Sequence, residues 1–165
     1  MNLENRISEC SLTLPTLVNA GANYTPVVID RGLAWISGQL PYMGDKMITP
    51  GKLGESVSIS DAQEGAKIAL LRALGALRTE LGGLERVRQI VKLTVYVNST
   101  VNFTDQSAVA DGASNVIFEI FGQQSGKHAR TSVGVAQLPK NACVELDLVV
   151  ALDEYTSNFV PPGNR

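Results

Sequence analysis

The chain has 165 residues, 44% of them hydrophobic, with a formal charge of -2 and a sequence pI near 5.4. That length and apolar content suit a single domain with a sizeable core, and the slight negative charge without clustered Lys or Arg argues against a nucleic-acid partner. Two distant cysteines (Cys10, Cys143), a lone His128, no signal-like start and no run of about eighteen apolar residues leave no disulfide framework, zinc-ligand spacing or membrane span, so a soluble, cytoplasmic, metal-free protein is expected.

Taken in chain order, "YTPVVIDRGLAWISGQLP" predicts a hairpin, with strands at Val27 to Ile29 and Leu33 to Ser37 joined by a turn containing Asp30 and Gly32. Trp35 reads as core. Residues 41–57 hold three Gly and two Pro without an apolar period and read as a long irregular loop. Ser60 and Gln63 form a capping-box pattern, and Leu70, Leu74, Leu77 and Leu81 recur at helical spacing, predicting a helix over about 60–81 that Gly82 and Gly83 end. Its alanines at 62, 66, 69, 73 and 76 permit close packing on a sheet.

Val91, Leu93, Val95 and Val97 alternate with Lys92, Thr94 and Tyr96, the period of a strand with one buried face. Val109, Ala113, Val116, Ile117 and Ile120 predict a second helix stopped by Gly122, and residues 126–148 read as two strands around a turn. The tail 153–165 is too polar and Pro-rich to fold alone. The predicted order is β-β-α-β-α-β-β, a single α+β domain with two helices on one sheet face. The other face is then polar, or is covered by another copy of the chain.

With the last turn centred between Pro139 and Lys140, an antiparallel register sets Ser132 opposite Asp147 and Gly134 opposite Glu145. Arg130, Ser132, Gly134 and Ala136 then share a face with Glu145 and Asp147, while Val133, Val135, Val144, Leu146, Leu148 and Val150 fill the other. Arg130 and Glu145 fall roughly 13 Å apart along the ladder, far enough to flank a small anion over Gly134. Two readings stay open. Arg130 and Asp147 form a diagonal ion pair on a solvated face, worth at most about 1 kcal/mol; or a neighbouring subunit closes the face and Arg130 receives a ligand carboxylate bidentately. Cys143 has no activating base beside it and reads as a small packing residue.

The stretch "HARTSVGVAQLPKNACVELDL", with its Ala-Arg, Leu-Pro and apolar-Glu pairs, and the hairpin block, with Tyr24 thirteen residues before Ser37, resemble the RidA/YjgF family of reactive-intermediate (enamine/imine) deaminases. The resemblance covers about residues 20–152. It implies a chorismate-mutase-like α+β fold, assembled as a homotrimer with ligand clefts between subunits. It further implies that Arg130 binds the substrate carboxylate, that Glu145 orients or activates water, and that Tyr24, Ser37 and the Gly38 N–H line the cleft. Ser114 falls where active members often carry asparagine.

The implied reaction is hydrolysis of small 2-imino acids, derived from enamines such as 2-aminoacrylate, to 2-oxo acids and ammonia without a cofactor. Ser132 replaces a common cysteine and His128 a common proline; with the loop at 41–57 and "DGASN" at 111–115 they mark a divergent branch. A second reading is a non-catalytic member holding a small carboxylate metabolite in the same cleft. Ribonuclease activity, also ascribed to parts of the family, is disfavoured by the net charge and the lack of a His pair.

Overall fold

Alternating apolar residues become strands and 3.6-period ones become helices, at slightly wider bounds than the sequence predicts. A computed structural model describes residues 2–16 and 23–153; most of the tail expected to remain unstructured therefore lies outside the described residues. The elements are α1 (Leu3–Glu9), β1 (Val27–Asp30), β2 (Leu33–Gln39), β3 (Tyr42–Met43), β4 (Lys46–Met47), α2 (Ile59–Leu81), β5 (Val87–Asn98), α3 (Gln106–Ser125), β6 (Ala129–Val135) and β7 (Val144–Leu152). This is an α+β fold with a mixed sheet and three helices.

The short α1 is an addition to the expected order. Asn2 caps it by accepting from Asn5 N, and Leu3 and Ile7 bury one stripe. The expected loop at 41–57 contains the small β3–β4 hairpin, so it is only partly irregular. The cap of α2 is Ser58, whose hydroxyl accepts from Asp61 N at 3.1 Å, and not Ser60. Ser58 has the extended backbone that an N-cap needs, whereas Ser60 already lies inside the helix. Gly82 ends α2 in the left-handed conformation (φ 76°), as a C-terminal glycine does. Gly122 interrupts α3 with φ 71°, but the helix runs on to Ser125.

The main correction concerns the last two strands. The sheet order is β1-β2-β7-β5-β6, so β5 lies between β6 and β7, and these two do not form a hairpin. β6 runs parallel to β5, reached through α3 as a β-α-β crossover, while β7 runs antiparallel to β5. The turn residues after β6 mimic a hairpin, yet the 3-10 turn at Pro139–Asn141 carries the chain past β5 before β7 begins. Lys52 holds this passage down by donating to Asn98 Oδ1 at 2.8 Å and to the Ala136 carbonyl.

The helices cover one sheet face. Ala34, Ile36, Ile90, Leu93, Val95, Leu146, Leu148 and Val150 are buried beneath α2 and α3. In α2, Leu70, Leu74 and Leu77 are fully buried, each contributing about 1.5–3 kcal/mol of transfer free energy. The opposite face is open. It carries Lys92, Thr94, Tyr96, Thr131, Glu145 and Asp147, and with them Trp35, which is 52% exposed and not core. Trp35 pairs with Val28 and Val149 across the ladder, so period-two alternation puts it opposite the buried Ala34 and Ile36. Cys143 is the packing residue expected: it is buried against Gly65 of α2, and burial pushes its thiol up to about 11.

Helices α2 and α3 meet at Gly112, where a Cβ would lie 2.6 Å from Gln63 Cα. The obstacle is backbone and cannot rotate away. Gly112→Ala should therefore cost about 1–3 kcal/mol by overpacking, read as a lower urea midpoint at fixed protein concentration.

Candidate functional site

Strand register decides where each expected site residue lies. Arg130 aligns with Leu93 and, across β5, with Leu148, which places it on the helix-covered side at the edge strand β6. Glu145 aligns with Tyr96 and Val133 on the open side. The shared face expected for Arg130, Ser132, Gly134, Glu145 and Asp147 is thus wrong, and so is the assignment of Val133 to the buried face. Parity across a β6–β7 hairpin does not apply, because β5 lies between the two strands. Three residues along the strands and two strands across separate Arg130 from Glu145 by about 14 Å between Cα atoms, on opposite faces. The same geometry removes the Arg130–Asp147 pair, since Asp147 instead accepts from Tyr96 Oη at 3.0 Å.

Around Arg130 the side chains form a continuous network. Its Nη1 donates to Asp111 Oδ1 at 2.7 Å and to Ser114 Oγ at 3.0 Å, both on α3. His128 Nδ1 lies 2.7 Å from the Gly126 carbonyl, which can only accept, so Nδ1 carries the proton and Nε2 is free to accept. Ser114 Oγ, 3.0 Å from Nε2, therefore donates to His128 while accepting from Arg130. Ser114 is 6% exposed and Arg130 about a quarter, so part of the Arg130 side chain reaches the surface. Nε and Nη2 make no hydrogen bond among the described residues, and those two donors match a carboxylate's geometry. Of this set, the sequence gives Asp111 no role and marks His128 only as a departure from the family's common proline. Asp111 lies three residues before Ser114, hence on the same face of α3, and that spacing could have found it.

Around Glu145 lies a second group. Its carboxylate occupies the space over Gly38 that any Cβ there would fill. Burial, reinforced by the neighbouring Asp147, holds its pKa above the usual carboxylate value. Ser37 N donates to the Pro26 carbonyl at 2.9 Å, but Ser37 Oγ is buried without a partner among the described residues. Native proteins rarely leave such a hydroxyl unused, so it is open to a hydrogen bond from a water or a ligand atom. Tyr24, two residues before Pro26, is 57% exposed. Structure therefore brings Ser37, Gly38 and Glu145 together, puts Ser114 beside Arg130, and keeps the two groups apart within one chain.

No cluster of three or more His, Cys, Asp or Glu side chains among the described residues is placed to hold a metal ion. Likewise no helix among them is long and apolar enough to cross a membrane.

Known proteins resemble this chain over most of its length. The profile of the family described as "YjgF/chorismate_mutase-like, putative endoribonuclease" matches residues 4–152. Protein TCP17 of Trypanosoma cruzi is 40% identical over 147 residues, 89% of this chain and 92% of that protein. A 2-iminobutanoate/2-iminopropanoate deaminase of Dermatophagoides farinae is 38% identical over 68 residues, covering 41% of this chain and 46% of that protein. Among solved structures, Atu1372 of Agrobacterium tumefaciens superposes with a TM-score of 0.84 at 38% identity, covering 92% of each chain. A "putative endoribonuclease" of Shewanella oneidensis gives 0.87 at 30% identity, covering 92% of this chain and all of that one. The sheet order, the two helices on one face and the match over residues 4–152 together make this chain a member of the RidA/YjgF (YjgF/chorismate-mutase-like) family.

Proposed function

We propose that the protein hydrolyses small 2-imino acids and their enamine tautomers, of the 2-aminoacrylate type, to 2-oxo acids and ammonia. The site lies in clefts where the Arg130 edge of one copy meets the Glu145 face of the next in a homotrimer. The observation that carries this reading is the Glu145 carboxylate seated over Gly38, its basicity raised by burial and Asp147, beside the unpartnered Ser37 hydroxyl. A half-buried carboxylate with raised pKa is a better base for water than an exposed one.

The two groups supply complementary halves of one reaction. The free edge of Arg130 would fix the substrate carboxylate through Nε and Nη2, and Ser37 Oγ and the Gly38 N–H would hold its polar atoms. Glu145 would take a proton from water as the oxygen attacks the imine carbon. Glu145 would return that proton to the nitrogen, giving the carbinolamine, and would then carry the carbinolamine hydroxyl proton to the amine, so that C=O forms as the C–N bond breaks and ammonia leaves. Tyr24 would line the mouth. The sheet order supports the assembly: β6 is one edge of the sheet and β1 the other, and Trp35, Val28 and Val133 leave apolar surface on the open face for a second copy.

A second reading, a cleft that holds a small carboxylate without turning it over, draws on the Asp111–Arg130 ion pair. At 2.7 Å, Asp111 partly neutralises the cation on which an anionic substrate depends. Ribonuclease chemistry, the description attached to the family and the Shewanella protein, finds less support. The chain holds one histidine, and its Nε2 already accepts from Ser114.

The deciding assay measures ammonia release from 2-imino acids generated in situ by an amino-acid oxidase. We expect clear acceleration by the protein, and at least about a hundredfold loss of kcat/KM in both Arg130→Ala and Glu145→Gln. Absence of acceleration overturns the deaminase reading; retained carboxylate binding that Arg130→Ala abolishes would then support the second one.

Gly38→Ala tests the seat directly. The added Cβ meets only the tip of the Glu145 side chain, which can swing aside, so the far-UV spectrum should hold while kcat falls by about tenfold or more.

The raised pKa of Glu145 also has a stability consequence. Because the folded value lies above the unfolded one, the ionised carboxylate costs stability at neutral pH, and that cost disappears as pH falls through the folded pKa. Glu145→Gln should therefore raise Tm at pH 7.5 and raise it less at pH 4, as scanning fluorimetry would record.

A further inference from the structure

A cavity of about 370 Å³ lies against the stripe of α2 that carries Ile68, Leu71 and Arg72, closed by residues 11–15 and by the β3–β4 hairpin. Its volume is within the range of small-molecule sites, towards the lower end. None of the residues lining it belongs to the Arg130 or the Glu145 group. The walls are mainly apolar, formed by Leu12, Pro15, Met43, Ile68 and Leu71.

One group in this wall lacks its natural partner among the described residues. Arg72 Nε is buried without a hydrogen bond, and no carboxylate among the described residues lies within ion-pair distance of its guanidinium. Its compensation is the Tyr42 ring, whose centroid lies 5.6 Å from Arg72 Cζ. Burial accordingly lowers the Arg72 pKa, although an arginine remains charged at neutral pH. Glu64, the carboxylate that also lines the cavity, faces Lys67 at 3.5 Å. A half-buried guanidinium without an anion costs stability, and a planar fork of donors pairs best with a carboxylate. The surrounding apolar walls reward a ligand with an apolar body and give nothing to a fully hydrated inorganic anion.

We propose that this cavity binds a small organic carboxylate with an apolar body, its carboxylate on Arg72 beside Tyr42 and its chain along Leu12, Met43, Ile68 and Leu71. The site is independent of the deaminase reading and stands if that reading fails. It is a second anion site on the same subunit, formed from the β3–β4 hairpin that the divergent loop contributes.

Octanoate and its neutral counterpart octanamide are suitable probes, titrated into the full chain and followed by methyl NMR. We expect octanoate to shift the Met43, Ile68 and Leu71 methyls, and octanamide to bind about ten- to a hundredfold more weakly, the scale of a charge-assisted pair. Arg72→Met should lower octanoate affinity by a similar factor while leaving imine hydrolysis unchanged. Ile68→Trp, which fills the cavity and leaves the Arg72 charge in place, serves as the second variant should Arg72→Met fold poorly, and it should abolish binding. Equal affinity for octanoate and octanamide, unchanged affinity in both variants, or shifts clustered around Arg130 would each overturn the proposal.

Discussion

The position of β5 between β7 and β6 is the constraint on which the candidate site depends. Because β6 joins β5 in parallel through α3, Arg130 is set level with Leu93 and turned towards the helices, at the free edge of the sheet. Because β7 joins the other side of β5, Glu145 is set level with Tyr96 and turned to the open face. One strand thus assigns the two charged groups to opposite sides of the same layer. A single chain does not bring Arg130 and Glu145 into one cleft, so the cleft proposed above, which uses both, requires a second copy.

The rest of the molecule stabilises that arrangement. Close approach of α2 and α3, permitted by Gly112 and by the alanines of α2, seals the helix side and puts α3 where Asp111 and Ser114 reach Arg130. Ser114 then acts as a hinge in the polar network, accepting from a cation and donating to a histidine whose tautomer a backbone carbonyl determines. On the open side Glu145 is kept half-buried by Gly38, whose lack of a side chain makes room for the carboxylate. Part of the candidate site is therefore an absence: a position where one extra carbon would displace the Glu145 carboxylate.

Sequence patterns disclosed more of the elements than of their arrangement. The apolar spacing of Leu70, Leu74 and Leu77 placed the body of α2 and Gly82 its end, and the alternation around Leu93 placed the middle of β5. The loop residues around Pro139 misled, because a turn dipeptide records only that the chain bends and not which strand receives it. Trp35 misled for a related reason: aromatic character suggests burial, but its parity with Ala34 and Ile36 had already assigned it to the other face. Asp111 carried a legible signal in its spacing from Ser114, whereas the contact of His128 with Ser114 becomes legible only once α3 is known to lie against β6.

By itself the sequence determined the class of fold, the family, and the identity of Arg130, Ser37, Gly38, Ser114 and Glu145 as residues worth following, since local periodicity and motif spacing are properties of neighbours along the chain. Only the tertiary structure decided which of them meet. Pairing partners, strand order and face parity depend on contacts between residues far apart in sequence, and a single intervening strand reverses the face that a side chain presents. That is why Arg130 could be recognised from its neighbours and still be placed on the wrong side of the sheet.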